Sequence, residues 1–466
     1  MKLSKETFTE IVVYAQYADG LDEKSQALKE QELFTGKGST HYCIRDEKGQ
    51  GVIYFGLGEE KDNNIYQTTK TFHDLGKFLR KLGVKQAHIH VPASLEADKE
   101  LAAGVLEGLY QAEYHFDRYR TEKETAENLT ISLDNYDFWQ GILGEVEKVV
   151  QGVFTARNLV NQPPVDLYPE TFAKQVQDIF ADTQVEVEVY DKKEIEELGM
   201  HAYLSVAKGS DKEPRLIVMK YLPVEGEAPV ALVGKGITYD SGGYAIKPAG
   251  SMKTMHTDMA GGAAVVGTIQ ALESLGVKKN VVGVIAATEN LINGSAYKNG
   301  DLISSMKGTS IEVSNTDAEG RVTLADAIYY AASKFEPETI IDIATLTGAA
   351  IVAVGSKCTA MMSNDDALAD AILAASQKAA EPTQRLYAFP FHYEQIKSHF
   401  ADLDNAPGGG AGSITAGLFL EHFTENIPWA HLDIAGPSYT DTAYDYLPKG
   451  ATGTAVKTIY QWITSL

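Results

Sequence analysis

The run Pro229-Val230-Ala231-Leu232-Val233 is apolar without alternation, which is the pattern of a strand covered on both faces. Strands of that kind belong to largely parallel sheets, whose crossover connections lay helices on either side. Residues 281–287 and 339–344 are apolar in the same way. Each of the three runs gives way to polar sequence rich in small residues: Gly234 to Gly243, Thr288-Glu289-Asn290, and Thr345-Leu346-Thr347-Gly348. In open α/β sheets, ligands bind beyond the carboxyl ends of strands. Three such ends therefore constrain both the fold and the place to look for chemistry.

The rest of the 466-residue chain extends the alternation. Residues 1–135 predict a self-contained α/β unit, with strands over 10–15, 51–57 and 87–91 and helices over 68–82 and 95–110. His88 and His90 stand two apart on one of these strands. Metal ligation is one reading, but no acidic or thiol partner lies near in sequence, and strand histidines are mostly structural. An amphipathic pattern over 138–160 carries Ile142, Leu143, Val146, Val149, Val150, Val153 and Phe154 on one face. Pro163 and Pro164 stop it. It predicts a connecting helix over 136–162. Beyond it, helices over 169–181, 193–198, 260–275, 416–423 and 454–466 and strands over 185–190, 215–222 and 430–435 complete a second domain, 163–466. The predicted fold class is α/β: a smaller N-terminal α/β domain plus a larger C-terminal α/β domain with a mixed central sheet flanked by helices.

Composition narrows the function classes. A formal net charge of −23 repels phosphate backbones and anionic membranes, so nucleic acid is an unfavourable partner. Two cysteines, Cys43 and Cys358, supply neither a disulfide framework nor a thiolate zinc site. No window approaches the roughly 18 apolar residues of a membrane span, and the apolar patch from Ile11 to Ala15 is too short for a signal-peptide core. Cytoplasmic residence is the expectation. No GxxxxGK[ST] phosphate loop occurs in the first 135 residues.

Asn315-Thr316-Asp317-Ala318-Glu319-Gly320-Arg321 puts two carboxylates and a guanidinium into five positions. In an extended segment all three face one way. Like charges so placed need a cation between them. A divalent metal held by oxygen ligands is one answer, and neutralisation by Arg321 alone is the other. Upstream, Lys235 and Asp240 flank a glycine-rich turn and Lys247 follows; either lysine alone reads best as a solvated charge. Asp258 stands where a cap of the 260–275 helix would stand.

Taken together, Val233-Gly-Lys-Gly-Ile-Thr-Tyr-Asp-Ser-Gly-Gly-Tyr-Ala-Ile-Lys-Pro248 and Asn315–Arg321 resemble the two signatures of the leucyl aminopeptidase family, dinuclear-metal cytosolic aminopeptidases. The resemblance continues through Asp342-Ile-Ala-Thr-Leu-Thr-Gly348, His431-Leu-Asp-Ile-Ala-Gly436 and Lys449-Gly-Ala-Thr-Gly453, and is faint before residue 135. It implies an N-terminal domain serving assembly or regulation and a catalytic metallopeptidase domain. It further implies a tightly held ion on Lys235, Asp240, Asp258 and Glu319. A more exchangeable ion falls on Asp240, Asp317 and Glu319, with the carbonyl of Asp317. The two ions would be Mn or Zn. Lys247 and Arg321 fall on the catalytic positions, Arg321 holding a bicarbonate anion. Met255, Asn315, Thr345, Leu346 and Gly348 fall near the first side-chain pocket. Val322 replaces a commoner leucine.

The implied activity is removal of N-terminal residues, leucine and other apolar ones, from peptides with a free N-terminus. The implied assembly is a homohexamer of two trimers around an interior chamber. A DNA-bound regulator and a Cys-Gly-type dipeptidase are the alternatives, and the absence of any basic run counts against the first.

Overall fold

The computed structural model describes residues 1–45, 49–123 and 128–466. The chain divides into two compact units, residues 1–150 with 442–448, and residues 151–441 with 449–466. The helix Tyr136–Val160 carries the chain from one to the other.

The first unit contains β1 (Lys2–Leu3), β2 (Ile11–Gln16), β3 (His41–Arg45), β4 (Gly51–Gly56), β5 (Gln86–His90) and β6 (Thr130–Leu133) in one sheet of order β1-β6-β5-β2-β4-β3. Every pairing is parallel except β3 with β4. The helices Ile65–Lys81 and Lys99–Gln111 pack on each other. Asn64 and Asp98 cap them by accepting backbone N–H groups of the first turn. Buried Phe72, Leu75, Leu79, Val105, Leu106 and Leu109 fill the interior. β1, β3 and β6 were not among the expected strands. They are short, half-polar or at the sheet margin, where periodicity is weakest.

The second unit is built on β7 (Glu186–Tyr190), β8 (Arg215–Tyr221), β9 (Val230–Asp240), β10 (Val281–Asn290), β11 (Leu302–Ser304), β12 (Ser310–Glu312), β13 (Thr339–Ala344), β14 (Thr359–Ser363), β15 (Thr383–Arg385), β16 (Leu403–Asp404) and β17 (Trp429–Asp433). Eight of these form a mixed sheet of order β15-β14-β17-β13-β9-β10-β8-β7. Its centre, β17-β13-β9-β10, is parallel, and antiparallel pairs flank it. β9 and β10 are buried along almost their whole length, as the apolar runs require.

The helix Ala260–Ser274 lies on this centre with a small-residue face. A Cβ on Gly261 would fall 1.9 Å from the carbonyl oxygen of Ile343. Only glycine lets the helix come that close to β13. On the same sheet pack Val322, Leu324, Ala325 and Ile328 of the helix Glu319–Phe335. Val322 is fully buried in that core.

The parallel centre fixes where chemistry can gather. β9 ends at Asp240, β10 at Asn290, β13 just before Thr345, and β17 at Asp433. All four ends lie along one edge of the sheet.

Candidate metal centre

Lys235 sits five residues before the end of β9, with its side chain 3% exposed. Its Nζ lies 2.7 Å from Asp258 Oδ2 and 2.9 Å from Glu319 Oε1. It also donates to the carbonyl of Thr345 at 3.0 Å. Burial alone would push this ammonium down, but Asp258 and Glu319 outweigh it and hold the pKa well above the ordinary lysine value. Lys247 reaches back from the loop after β9, 2.8 Å from Asp240 Oδ2 and 2.5 Å from Asp317 Oδ1. Its pKa is likewise raised: burial acts downward, and Asp240 and the neighbouring carboxylates act upward more strongly.

The carboxylates respond in the opposite sense. Burial is the largest cause raising Asp258, Asp317 and Glu319, and Asp240 adds repulsion to each. Oxygens of Asp240, Asp317 and Glu319 all lie within 4.8 Å of one another. Three buried oxygens, Asp258 Oδ2, Asp317 Oδ1 and Glu319 Oε1, accept no hydrogen bond of good geometry; each has only a lysine ammonium against it. Oxygen donors crowded in this way, with unsatisfied lone pairs facing a common space, suit hard or borderline divalent ions. The residues present fit such ions, provided that Lys235 gives up its proton when it ligates.

Local structure explains how these groups meet. Asp317 occupies a turn and Glu319 opens a helix, so the extended stretch expected over 315–321 is not what forms. Helix geometry instead turns Glu319 toward Lys235 and sends Arg321 elsewhere. Asp258 is not the cap of the next helix: Met259 holds that position without a side-chain bond. Its Oδ1 accepts from Thr345 Oγ1 at 2.7 Å while Oδ2 faces Lys235, so its carboxylate is committed to the centre.

Arg321 is buried and donates from Nη1 to the carbonyl of Asn405 at 2.7 Å. Its Nε has no acceptor, and among the described residues no carboxylate lies within ion-pair distance. Burial pulls its pKa down to about 10. A buried guanidinium with donors to spare is suited to a small anion.

The remaining candidates surround this cluster unequally. Thr345 touches it through Asp258 and Lys235. Leu346 is set by its amide, which donates to Asp433 Oδ1. Asn315 accepts the amide of Asp317 at 2.8 Å and so shapes the turn. Met255 is half-buried at the start of a 3-10 turn that leads into Asp258. Gly348 is exposed and begins the helix Gly348–Val354.

Several residues that organise the centre escaped the sequence reading. Asn290, paired with Asp240 in the β9–β10 register, donates to Asp240 Oδ1 at 2.8 Å and to the carbonyl of Thr316 at 3.0 Å. Tyr297 donates to the same carbonyl. Thr316 Oγ1 bridges Gly242 and Ala245, tying the 315–321 turn to the loop that carries Lys247. Asn405 donates to the carbonyl of Asn315 and accepts from its amide. Asp433 accepts the hydroxyl of Thr347 and the amides of Leu346 and Thr347. Beneath it, His431 and Trp429 share the buried carboxylate of Asp342.

Fold and site together define a class: an α/β domain with a charged centre, fit to hold divalent metal, at the carboxyl ends of its parallel strands. The catalytic-domain model of the cytosol aminopeptidase family matches residues 154–460, and that family's N-terminal-domain model matches residues 4–123. A probable cytosol aminopeptidase of Clostridium tetani is 42% identical over 98% of this chain and 97% of its own. One of Treponema denticola is 41% identical over 94% of each. The solved structure of the bottromycin maturation enzyme BotP in complex with Mn superposes with a TM-score of 0.89 at 30% identity, covering 98% of this chain and 99% of that one. The chain belongs to the cytosol aminopeptidase family, and its activity is that of a metal-dependent aminopeptidase. No helix among the described residues is long and apolar enough to cross a membrane.

Proposed function

We propose that the centre hydrolyses the first peptide bond of peptides with a free N-terminus, with leucine and other apolar residues preferred at that end. The observation that carries the reading is the interleaving of Lys235 and Lys247 with four carboxylates, three of whose buried oxygens have only a lysine ammonium against them. Lys235, Asp240, Asp258 and Glu319 would hold one divalent ion, and Asp240, Asp317 and Glu319 a second. When bound, two such ions, manganese or zinc, lower the pKa of a shared water and polarise the scissile carbonyl. The manganese in the BotP structure supports the first choice.

The chain's own residues do the rest. Lys247, cationic and anchored between Asp240 and Asp317, stabilises the oxyanion that forms at the carbonyl. Arg321, whose Nε lacks an acceptor, would hold a bicarbonate anion, which would supply the proton-accepting group there because the arginine itself has no useful proton to exchange. Met255, Asn315 and the Thr345–Leu346–Gly348 segment shape the first pocket, where a flexible thioether at Met255 suits leucine-like side chains. The net charge of −23 weighs against a DNA-bound regulator. Residence in the cytoplasm and a homohexameric assembly complete the proposal.

Asp317→Ala and Glu319→Ala are expected to bring hydrolysis of a leucyl amide to background and to lower the metal content. Wild-type turnover in both variants would end the assignment. A panel of peptides differing at the first residue separates a broad apolar preference from a dipeptidase confined to Cys-Gly.

A further inference from the structure

His88 and His90 lie on β5, whose parallel register with β6 pairs His88 with Ser132 and Ile89 with Leu133. One step further, past the end of both strands, the same register sets Asp134 beside His90. Residues two apart on a strand share a face, so the two imidazoles and this carboxylate project together at the carboxyl end of a parallel pair. The acidic partner missing from the local sequence therefore arrives from 44 residues away.

The contacts are specific. Asp134 Oδ2 lies 2.7 Å from His90 Nδ1, and Asp134 Oδ1 lies 3.4 Å from His88 Nε2. On the far side of its ring, His88 Nδ1 lies 3.0 Å from Ser132 Oγ. When Nδ1 carries the proton and donates to Ser132, Nε2 offers its lone pair to an ion lying between it and Asp134. An outer hydrogen bond that fixes the tautomer and aims the other nitrogen is the usual support of a metal-ligating histidine. Tyr14, the register partner of His90 on β2, stacks on its ring at 4.8 Å, and the His88 and His90 rings meet edge to face at 4.3 Å. Both imidazoles are thus held in place.

One nitrogen from each histidine and one oxygen of Asp134 lie within 4.8 Å of one another. Ligand atoms around a tetrahedral zinc ion sit about 3.3 Å apart, so small side-chain rotations suffice to close on an ion. We propose that His88, His90 and Asp134 form a divalent transition-metal site of the zinc type, separate from the lysine–carboxylate centre. Two imidazoles and one carboxylate favour zinc, nickel or cobalt over magnesium or calcium. Three protein ligands leave a fourth position for water. His88 is buried while His90 and Asp134 are partly exposed, so an ion has a direct way in. Bound there, it would join the ends of β5 and β6 beyond their last backbone hydrogen bonds.

The test uses the full-length protein, stripped with a chelator and then equilibrated with zinc at micromolar free concentration. Metal per chain is counted in wild type, His88→Gln, His90→Gln and Asp134→Asn. Each variant is expected to carry one ion fewer than wild type, and to keep its aminopeptidase activity. Reloading with cobalt should give visible absorption bands in wild type that shrink in the same three variants. Because His88 is buried, its variant also reports on folding, and the exposed pair His90→Gln and Asp134→Asn decides. Equal metal content and equal cobalt spectra in wild type and that pair would overturn the proposal.

Discussion

Gly320 shows how little room the lysine–carboxylate centre leaves. A Cβ at this position would fall 2.4 Å from Lys235 Cε and 2.6 Å from its Nζ. Lysine side chains usually yield to such a contact. This one is held by Asp258, Glu319 and the carbonyl of Thr345, so yielding means breaking the centre. Gly320→Ala should therefore lower stability by roughly 1–3 kcal/mol, the ordinary cost of forcing atoms into a packed site. It should also reduce kcat/KM by about a hundredfold, the scale of a misplacement of about an ångström at a reacting centre. Urea unfolding and steady-state kinetics on a leucyl amide measure both. Wild-type kcat/KM in this variant would mean that Lys235 need not stand where it does.

At the scale of elements, the helix Glu319–Phe335 does two jobs. Its first turn delivers Glu319 and Arg321, and two turns later Asp326 fastens it to its neighbours. Asp326 is fully buried; its carboxylate accepts the amide of Tyr203 at 2.9 Å and that of Met306 at 2.7 Å. Burial pushes its pKa up to about 7, although the amides act against the shift. The folded protein thus binds this proton more tightly than the unfolded chain does. Its contribution to stability is full below the unfolded value near 4, shrinks as pH rises, and is lost above about 7. Asp326→Asn cannot titrate, so the stability of wild type relative to this variant should decline between pH 4 and 7 and then level off. Urea midpoints at a series of pH values give the comparison, in which the centre's own carboxylates cancel. A difference independent of pH would show that Asp326 is ionised throughout.

The same helix marks the limit of sequence reading. The apolar runs of β9, β10 and β13 are continuous in sequence, so their places in the core were legible, whereas the helix Glu319–Phe335 was not among the expected elements. The contacts of Asn290, Asn405 and Asp433 were not legible, and Asp258 was legible as a ligand only through the family resemblance. A single Asp before a helix reads as a cap, and a single Asn in a loop reads as a turn; what decides is the register that puts Asn290 against Asp240. Long-range pairing likewise hid Asp134 from His88 and His90. Resemblance to a family supplied the metal-centre candidates, and the strand order now accounts for why four strand ends meet there.

For the whole molecule, the excess of 64 acidic over 41 basic residues is a property that no single contact explains. Like charge spread over a compact chain opposes folding, and opposes assembly more strongly still, because copies at −23 each must be brought together. Salt weakens that repulsion: the screening length falls from about 30 Å at 0.01 M to about 8 Å at 0.15 M. The two divalent ions of the proposed centre would act in the same direction from inside. The thermal midpoint should therefore rise by a few degrees between these two salt concentrations, and rise less in the metal-loaded protein than in the stripped one. Light scattering at the higher salt should give a mass of six times the 50.6 kDa chain. A midpoint that falls with salt would mean that favourable ion pairs, not net repulsion, govern the surface, and a single-chain mass at both salts would rule out the hexamer. The two measurements are independent, because screening acts on the lone chain as well as on the assembled one.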